Sequence, residues 1–206
     1  MTFRSVTRAA AALGGVALVL AGASVVPFTT NQKAFYADAG WVAFVRPGLV
    51  ITITSAEIAP DGTISVGFSL TDPKGSPLDR NGVRTPGPVS LNFIAAYIPQ
   101  KQQQYVDYIT RTATGTVSGT VTQAAAESDG VFTSVGTAYR YTFTNRAPSG
   151  FDAATTHTIG IYGRRDMSAF GIPNNNSSTV FTFVPNGSKV TKVRLFFGVP
   201  VTASQS

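Results

Sequence analysis

Apolar and polar residues alternate strictly between positions 64 and 70, and this feature constrains the fold more than any other. The apolar members of the run are Ile64, Val66, Phe68 and Leu70. A period of two is typical of a β-strand that buries one face and shows the other to water. Residues 49–58 are rich in β-branched side chains, and Pro60-Asp61-Gly62 supplies a turn. The sequence therefore predicts a β-hairpin over 49–70, which needs cover because an isolated hairpin is marginally stable.

Further segments with strand patterns follow, separated by turns rich in Gly, Pro and Asn. They cover residues 89–98, 105–112, 131–135, 138–144, 155–163, 179–184 and 189–193. The segment 89–98 is apolar on both sides, which predicts a central strand covered on both faces. We interpret 113–130 as a long loop with one weak strand at 116–122, and 170–178 as another loop. No helical period follows residue 26, so we predict an all-β fold, an antiparallel β-sandwich that is immunoglobulin-like or a Greek-key split barrel.

The first 26 residues have the pattern of a secretory signal helix. Arg4 and Arg8 precede an apolar run over 9–19, and Ala21-Gly22-Ala23 is a small-x-small site that predicts cleavage after Ala23. A retained membrane anchor over 9–26 is the alternative. A lipoprotein would have cysteine at position 23, so we predict an exported chain that is not a lipoprotein and that is periplasmic, outer-membrane-associated or extracellular.

These patterns divide the chain into four predicted parts. Residues 1–23 form the signal peptide, 24–40 an N-terminal arm, 41–194 the β-sandwich domain and 195–206 a C-terminal tail. Trp41, the single tryptophan, opens the domain and is interpreted as a packing anchor, with ligand stacking as the less favoured alternative.

Charge and cysteine usage exclude several functions. Lys and Arg number 16 against 10 acidic residues, a net charge of +6, and without Arg4 and Arg8 the balance is 14 against 10. That excess is mild, and we interpret Arg164-Arg165 and the basic residues of 189–194 as solvated strand ends rather than a nucleic-acid surface. The chain has no cysteine, which excludes disulfides, thiolate zinc sites, cysteine nucleophiles and c-type haem attachment.

Few residues are candidates for chemistry. Asp72 and Asp79 lie in a turn-rich loop, where they would cap turns or, as the less favoured alternative, contribute to a calcium site. His157 is the only histidine, so it lacks a partner for a metal site or a nucleophile relay. We expect it to be a hydrogen-bonded structural residue near a strand end. We therefore assign no catalytic, cofactor-binding or metal-binding residue, identify no small-molecule substrate, and predict that the chain is not an enzyme.

Several stretches, taken in order, resemble one family. They are Ala34-Phe35-Tyr36, Phe44-Val45-Arg46-Pro47-Gly48-Leu49, Leu70-Thr71-Asp72-Pro73-Lys74-Gly75-Ser76-Pro77-Leu78-Asp79-Arg80, Phe93-Ile94-Ala95-Ala96-Tyr97-Ile98-Pro99, Thr156-His157-Thr158-Ile159-Gly160-Ile161-Tyr162-Gly163 and Val180-Phe181-Thr182-Phe183-Val184-Pro185. The set is similar to the N-terminal β-domain of the bacterial OmcA/MtrC family of decahaem c-type cytochromes, over roughly 34–193.

The resemblance implies extracytoplasmic electron transfer, in which β-domains flank multihaem domains and hold them in place. In the family, haem-binding CxxCH motifs follow the region that matches 180–194, whereas 195–206 contains no cysteine. The resemblance therefore implies a chain truncated before the haem region, with haem c expected only in a missing C-terminal region or a partner.

Two functions follow from the sequence. The first is a non-catalytic β-domain of an extracytoplasmic multihaem cytochrome system, which scaffolds or docks haem domains or an outer-membrane complex and binds no haem itself. The apolar run Leu195-Phe196-Phe197 fits such a partner. The alternative is a secreted β-sandwich binding or adhesion module that uses the loops 72–88 or 113–130.

Overall fold

The computed structural model describes residues 30–31, 33–116 and 119–191. The predicted signal peptide and the tail 195–206 lie outside the described residues, and the four predicted boundaries stay predictions. The described strands are β1 (Val50–Ile58), β2 (Ile64–Thr71), β3 (Val89–Tyr97), β4 (Val106–Asp107), β5 (Thr110–Gly115), β6 (Gly119–Ala124), β7 (Val131–Val135), β8 (Ala138–Thr142), β9 (His157–Arg165) and β10 (Asn175–Phe183).

These strands form two four-stranded antiparallel sheets and a separate ribbon. The first sheet has the order β1-β2-β8-β7, the second has the order β10-β9-β3-β4, and β5 pairs with β6. The apolar core joins residues from both four-stranded sheets. The chain is therefore an all-β, antiparallel β-sandwich-like domain, as the sequence predicts.

The hairpin predicted over 49–70 is confirmed. Strands β1 and β2 pair from Val50 opposite Thr71 to Ile58 opposite Ile64, with one irregularity between Ile53 and Ser55. Gly62 closes the turn at φ 83°, and an added Cβ there would lie 2.3 Å from the Ala147 carbonyl oxygen. The four alternating apolar residues of β2 are all 1% exposed or less, so the predicted dry face is the core face.

The central strand predicted over 89–98 is also confirmed. Strand β3 pairs with β9 and with β4. Phe93 is fully buried on its core side, and Ile94 and Ala96, on the opposite side, are each 2% exposed. Both faces are therefore covered in the second half of β3, whereas Ser90 and Asn92, on the outer side of its first half, are exposed and half-buried.

The prediction that no helix follows residue 26 is wrong. A 3-10 helix covers Lys33–Tyr36, inside the predicted arm, and helix α1 covers Ala39–Val45. Asp38 caps α1 by accepting a hydrogen bond from the Trp41 amide at 3.0 Å. Arg46 ends the helix in a left-handed conformation at φ 50°. Seven residues are too few to show a helical period, because two turns of apolar spacing are needed.

Three loop and strand predictions need correction. The weak strand predicted at 116–122 corresponds to β6, but the predicted strand 105–112 is divided into β4 and β5, and β5 extends into the predicted loop 113–130. The predicted loop 170–178 contains the first residues of β10. Residues 189–191 are not in a strand, and the rest of the predicted strand 189–193 lies outside the described residues. Strands β5 and β6 and the start of β10 carry small or polar side chains on exposed faces, so they lack the apolar alternation by which buried strands are recognised. In the part of the chain that the structure describes, no helix is long and apolar enough to cross a bilayer.

Candidate functional site

Asp72 caps the turn that follows β2. Its side chain is 2% exposed. One carboxylate oxygen accepts hydrogen bonds from the amides of Lys74 and Ser76, both at 2.9 Å. The other oxygen lies 3.3 Å from Nη1 of Arg46. The carboxylate is thus occupied by the turn and by the residue that ends α1, in agreement with the predicted capping role.

Asp79 organises the next loop in the same way. Its carboxylate accepts hydrogen bonds from the amides of Asn81, Val83 and Arg84. Burial opposes ionisation of Asp79, but these amides, together with the charge of Arg84, outweigh that effect and lower its pKa. Within the described ranges, no group of three His, Asp or Glu side chains is placed to hold a metal ion. The calcium alternative for Asp72 and Asp79 therefore has no cluster of ligands among these residues.

His157 is a structural residue at the start of β9, as the sequence predicts. It is 1% exposed. Its Nδ1 lies 2.9 Å from the Thr155 carbonyl oxygen and can only donate to it, so Nε2 accepts from the hydroxyl of Tyr108 at 2.8 Å. Burial lowers the pKa of His157 and keeps it neutral near pH 7. Because both ring nitrogens are used and the chain has no cysteine, this donor set does not fit a haem.

Arg165 contradicts the prediction that Arg164-Arg165 is a solvated strand end. Arg164 is exposed, but Arg165 is fully buried. Its Nη2 donates to the carbonyl of Val45 at 2.9 Å, its Nη1 donates to Gly48 at 2.9 Å, and its Nε donates to Pro86 at 3.0 Å. Successive side chains of a strand point to opposite faces, which explains why neighbouring arginines have opposite environments.

The buried guanidinium fastens α1 to the sandwich. Besides the bonds above, it donates to the carbonyl of Arg46, at the end of α1. A small apolar cluster continues this attachment, with Val45, Met167 and Ile172 buried and Trp41 and Phe170 packed against them. The rings of Trp41 and Phe170 lie 6.3 Å apart. Trp41 is thus a packing anchor, as predicted, and α1 has a fixed position on the domain.

Three exposed aromatic residues lie in and just before this fixed helix, and we refer to them together as the aromatic surface. They are Phe35 and Tyr36 in the 3-10 helix and Phe44 in α1, which are 50%, 74% and 67% exposed. The rings of Phe35 and Tyr36 contact edge to face at 5.1 Å. Single exposed apolar residues are ordinary, but three aromatic residues within ten positions of an anchored segment are a candidate interaction surface.

A second candidate surface lies on the outer side of the sheet β10-β9-β3. It is a shallow groove, which we call the polar face, and its six outward side chains are Ser90, Asn92, Tyr162, Arg164, Asn176 and Ser178. Sequence analysis missed this surface because its members come from three separate segments and none belongs to a recognised motif.

Asp107 makes the stability of the domain depend on pH. Burial raises the pKa of this carboxyl, which ends β4, from 3.8 to about 7, although the amides of Ile109 and Tyr108 oppose the shift. A carboxyl with a raised pKa in the fold stabilises it only while protonated. Its contribution is therefore complete below about pH 4 and is lost as the pH rises to about 7.

We expect Asp107→Asn to remove this dependence. The amide oxygen can still accept from the Ile109 amide, now 2.9 Å from the carboxylate, but no longer titrates. The variant should be more stable than the wild type by on the order of 2 kcal/mol at pH 8 and equal to it at pH 4, as measured by urea unfolding. His157, with its lowered pKa, destabilises both proteins alike when it is protonated in acid. A difference that is the same at both pH values would contradict the prediction.

The fold defines the class of protein as a mostly β, sandwich-like domain of two four-stranded antiparallel sheets with one short α-helix among the described residues. No family model and no curated protein matches the sequence. Among solved structures, the chain is similar to the crystal structure of MtrC from Shewanella baltica OS185, with 24% sequence identity and a TM-score of 0.45. The match covers 72% of this chain and 24% of that chain, so the chain spans about a quarter of MtrC. The family assignment made from the sequence stays a prediction.

Proposed function

We propose that the chain is a non-catalytic β-domain of an extracytoplasmic multihaem cytochrome system, which holds haem-bearing domains in place and carries no haem itself. The ordered sequence resemblance over 34–193 supports this proposal. The structural observation that carries it is the aromatic surface of Phe35, Tyr36 and Phe44 beside a helix that Arg165 locks to the sheets. A rigid apolar surface loses little conformational freedom when it packs against a neighbouring domain.

The buried polar side chains form hydrogen bonds within the domain itself, which supports a scaffold role. Glu127 is 6% exposed, and its carboxylate accepts hydrogen bonds from the Tyr141 hydroxyl at 3.0 Å and from the amides of Thr144 and Asn145 at 2.8 and 3.0 Å. Asp72, His157 and Arg165 likewise bind backbone groups. These side chains satisfy the hydrogen-bonding needs of loops and strand ends, which is how buried polar residues specify a rigid fold.

Binding to a purified decahaem cytochrome of the OmcA/MtrC family tests the proposal. Sedimentation velocity followed at the haem absorbance band detects the cytochrome without detecting this chain. We expect the chain to increase the sedimentation rate of the cytochrome, with a dissociation constant in the micromolar range. The double variant Tyr36→Ser/Phe44→Ser should weaken binding by about tenfold or more, because exposed aromatic residues dominate such interfaces.

The matched control is Val83→Ser, at a loop position that is 84% exposed and far from α1 in sequence. This variant should bind like the wild type. The proposal is wrong if the wild-type chain leaves the cytochrome unchanged, or if the control weakens binding as much as the double variant does. It is also wrong if the purified chain carries a haem of its own.

Export is part of the same proposal. The leader 1–23 supports a periplasmic, outer-membrane-associated or extracellular location, with a mature chain that begins at Ser24. N-terminal sequencing of the protein from a periplasmic or culture fraction tests this location. A cytoplasmic protein that still begins at Met1 would contradict it.

A further inference from the structure

The polar face has a regular arrangement because three paired strands set its positions. Arg164 of β9 lies between Ser90 of β3 and Asn176 of β10. Tyr162 lies two residues away, on the same side of the sheet, between Asn92 and Ser178. The six side chains thus form two rows about 7 Å apart along the strands and about 10 Å wide across them.

Most of the polar groups in these rows are not used by the fold. Ser90 donates a hydrogen bond to the Arg164 carbonyl at 3.3 Å. The side chains of the other five make no hydrogen bond to any residue in the described ranges. Their backbone groups, by contrast, lie in strands that pair along the sheet, and β9 is paired on both sides. A ligand on this face is therefore recognised through side chains.

Two arginines supply positive charge in the neighbourhood of Tyr162. Arg164 is exposed in the neighbouring row, and Asp166, the acidic residue near it, accepts from the Ser168 amide at 2.9 Å. Arg111, at the base of the exposed ribbon, lies close enough to Tyr162 to affect its ionisation. Burial raises the pKa of Tyr162, and the charge of Arg111 partly opposes that shift. The half-buried ring thus offers an apolar surface with two guanidinium groups in its neighbourhood.

We propose that the polar face binds an acidic polysaccharide with carboxylated sugar units. The guanidinium groups of Arg164 and Arg111 pair with the carboxylates, and a sugar ring packs on Tyr162. The amides of Asn92 and Asn176 both donate and accept, as sugar hydroxyls do. This inference is independent of the proposed cytochrome role, because the aromatic surface and the polar face share no residue.

Two other partner classes fit this face less well. An extended peptide is commonly recognised through the open edge of a sheet, which here is β10, whereas Tyr162 and Arg164 lie on β9, which is paired on both sides. A nucleic acid requires a clustered basic stripe with several phosphate contacts, and Arg164 on this face with Arg111 near it does not form one. An acidic polysaccharide offers hydroxyls, carboxylates and the flat apolar surface of its sugar rings. These groups match the amides, the guanidinium group and the aromatic ring that the rows present.

The proposal is tested with oligogalacturonate, a carboxylated sugar chain, and the complete chain in a calorimetric titration. The wild type should bind oligogalacturonate at least tenfold more tightly than the methyl-esterified chain, in which the carboxylates are neutral. Poly-glutamate carries carboxylates without sugar rings and should bind at least tenfold more weakly than oligogalacturonate. Equal binding of either competitor overturns the proposal.

Variants locate the site. Arg164→Gln should weaken binding about tenfold, and Tyr162→Ala should do the same while the circular dichroism spectrum stays unchanged. Lys74→Gln removes one charge from an exposed turn away from the rows and should change affinity less than twofold. If Lys74→Gln weakens binding as much as Arg164→Gln does, the attraction is a general effect of net charge and the site assignment is wrong. If Tyr162→Ala unfolds the protein, the double variant Asn92→Ala/Asn176→Ala takes its place and should also weaken binding about tenfold.

Discussion

Replacing Arg165 with methionine is expected to lower the free energy of unfolding by about 3–5 kcal/mol. The guanidinium donates to carbonyls of Val45, Arg46, Gly48 and Pro86 from a fully buried position. Methionine has a similar length and no donor, so these carbonyls lose their partner in a place that water does not reach. An unsatisfied buried acceptor costs more than the bond itself contributes, and four carbonyls in two backbone segments, 45–48 and 86, are affected at once.

Urea unfolding measured by circular dichroism gives the loss in stability, and fluorescence of Trp41, the single tryptophan, shows whether α1 detaches first. Arg164→Met is the matched control, since Arg164 is exposed and should cost less than about 0.5 kcal/mol. Arg165→Lys keeps the charge but lacks the planar fork, so an intermediate loss is expected. Equal losses for Arg164→Met and Arg165→Met would contradict this account of the attachment.

Replacing Phe93 with alanine is expected to cost about 3–5 kcal/mol. Phe93 is fully buried at the centre of β3, where the two sheets meet. Its ring stacks on Tyr141 with centroids 3.7 Å apart. It also contacts Phe68 and Phe132 at 5.7 Å and Phe143 at 5.9 Å. The four neighbours come from two strands of the opposite sheet, from the edge strand and from the loop after β8, so collapse into the cavity would require several elements to move.

The comparison of three variants separates the cavity from the aromatic contacts. Phe93→Leu keeps most of the volume and should cost about half as much as Phe93→Ala. Val131→Ala, at a site that is 63% exposed, should change stability by less than about 0.5 kcal/mol. Urea titrations of all three provide the measurement. A loss below 1 kcal/mol for Phe93→Ala would mean that the two sheets do not share one core at this position.

The sequence predicts the sheets well where one face of a strand is buried. Ile64, Val66, Phe68 and Leu70 alternate because the core removes every second side chain from water, and the same cause underlies Tyr139 and Tyr141 in β8. The ribbon β5-β6 shows no such alternation, because most of its side chains are exposed and no core removes every second one from water. Its pairing depends on backbone hydrogen bonds, and the amino-acid types of a segment predict such pairing only weakly.

Of the candidate residues, those with local partners were predictable. Asp72 and Asp79 bind amides within five residues, and a loop rich in Gly and Pro predicts such capping. Arg165 was not predictable, because its partners lie 79 to 120 residues away and nothing near it in the chain indicates them. The polar face was missed for the same reason, since register across three strands assembles it.

Strand β9 presents Arg165 to the interior and Arg164 to the polar face, and this division extends to the paired positions of β3 and β10 at that end of the sheet. Positions 90, 92, 162, 164, 176 and 178 lie on the side of the sheet opposite the apolar core, and Ser90 is the one whose side chain forms a hydrogen bond within the described ranges. A combinatorial library that randomises these six positions should therefore yield mostly soluble, folded members. Because these surface positions are separate from the core, natural selection could change the ligand bound on this side of the sheet without reducing the stability of the fold.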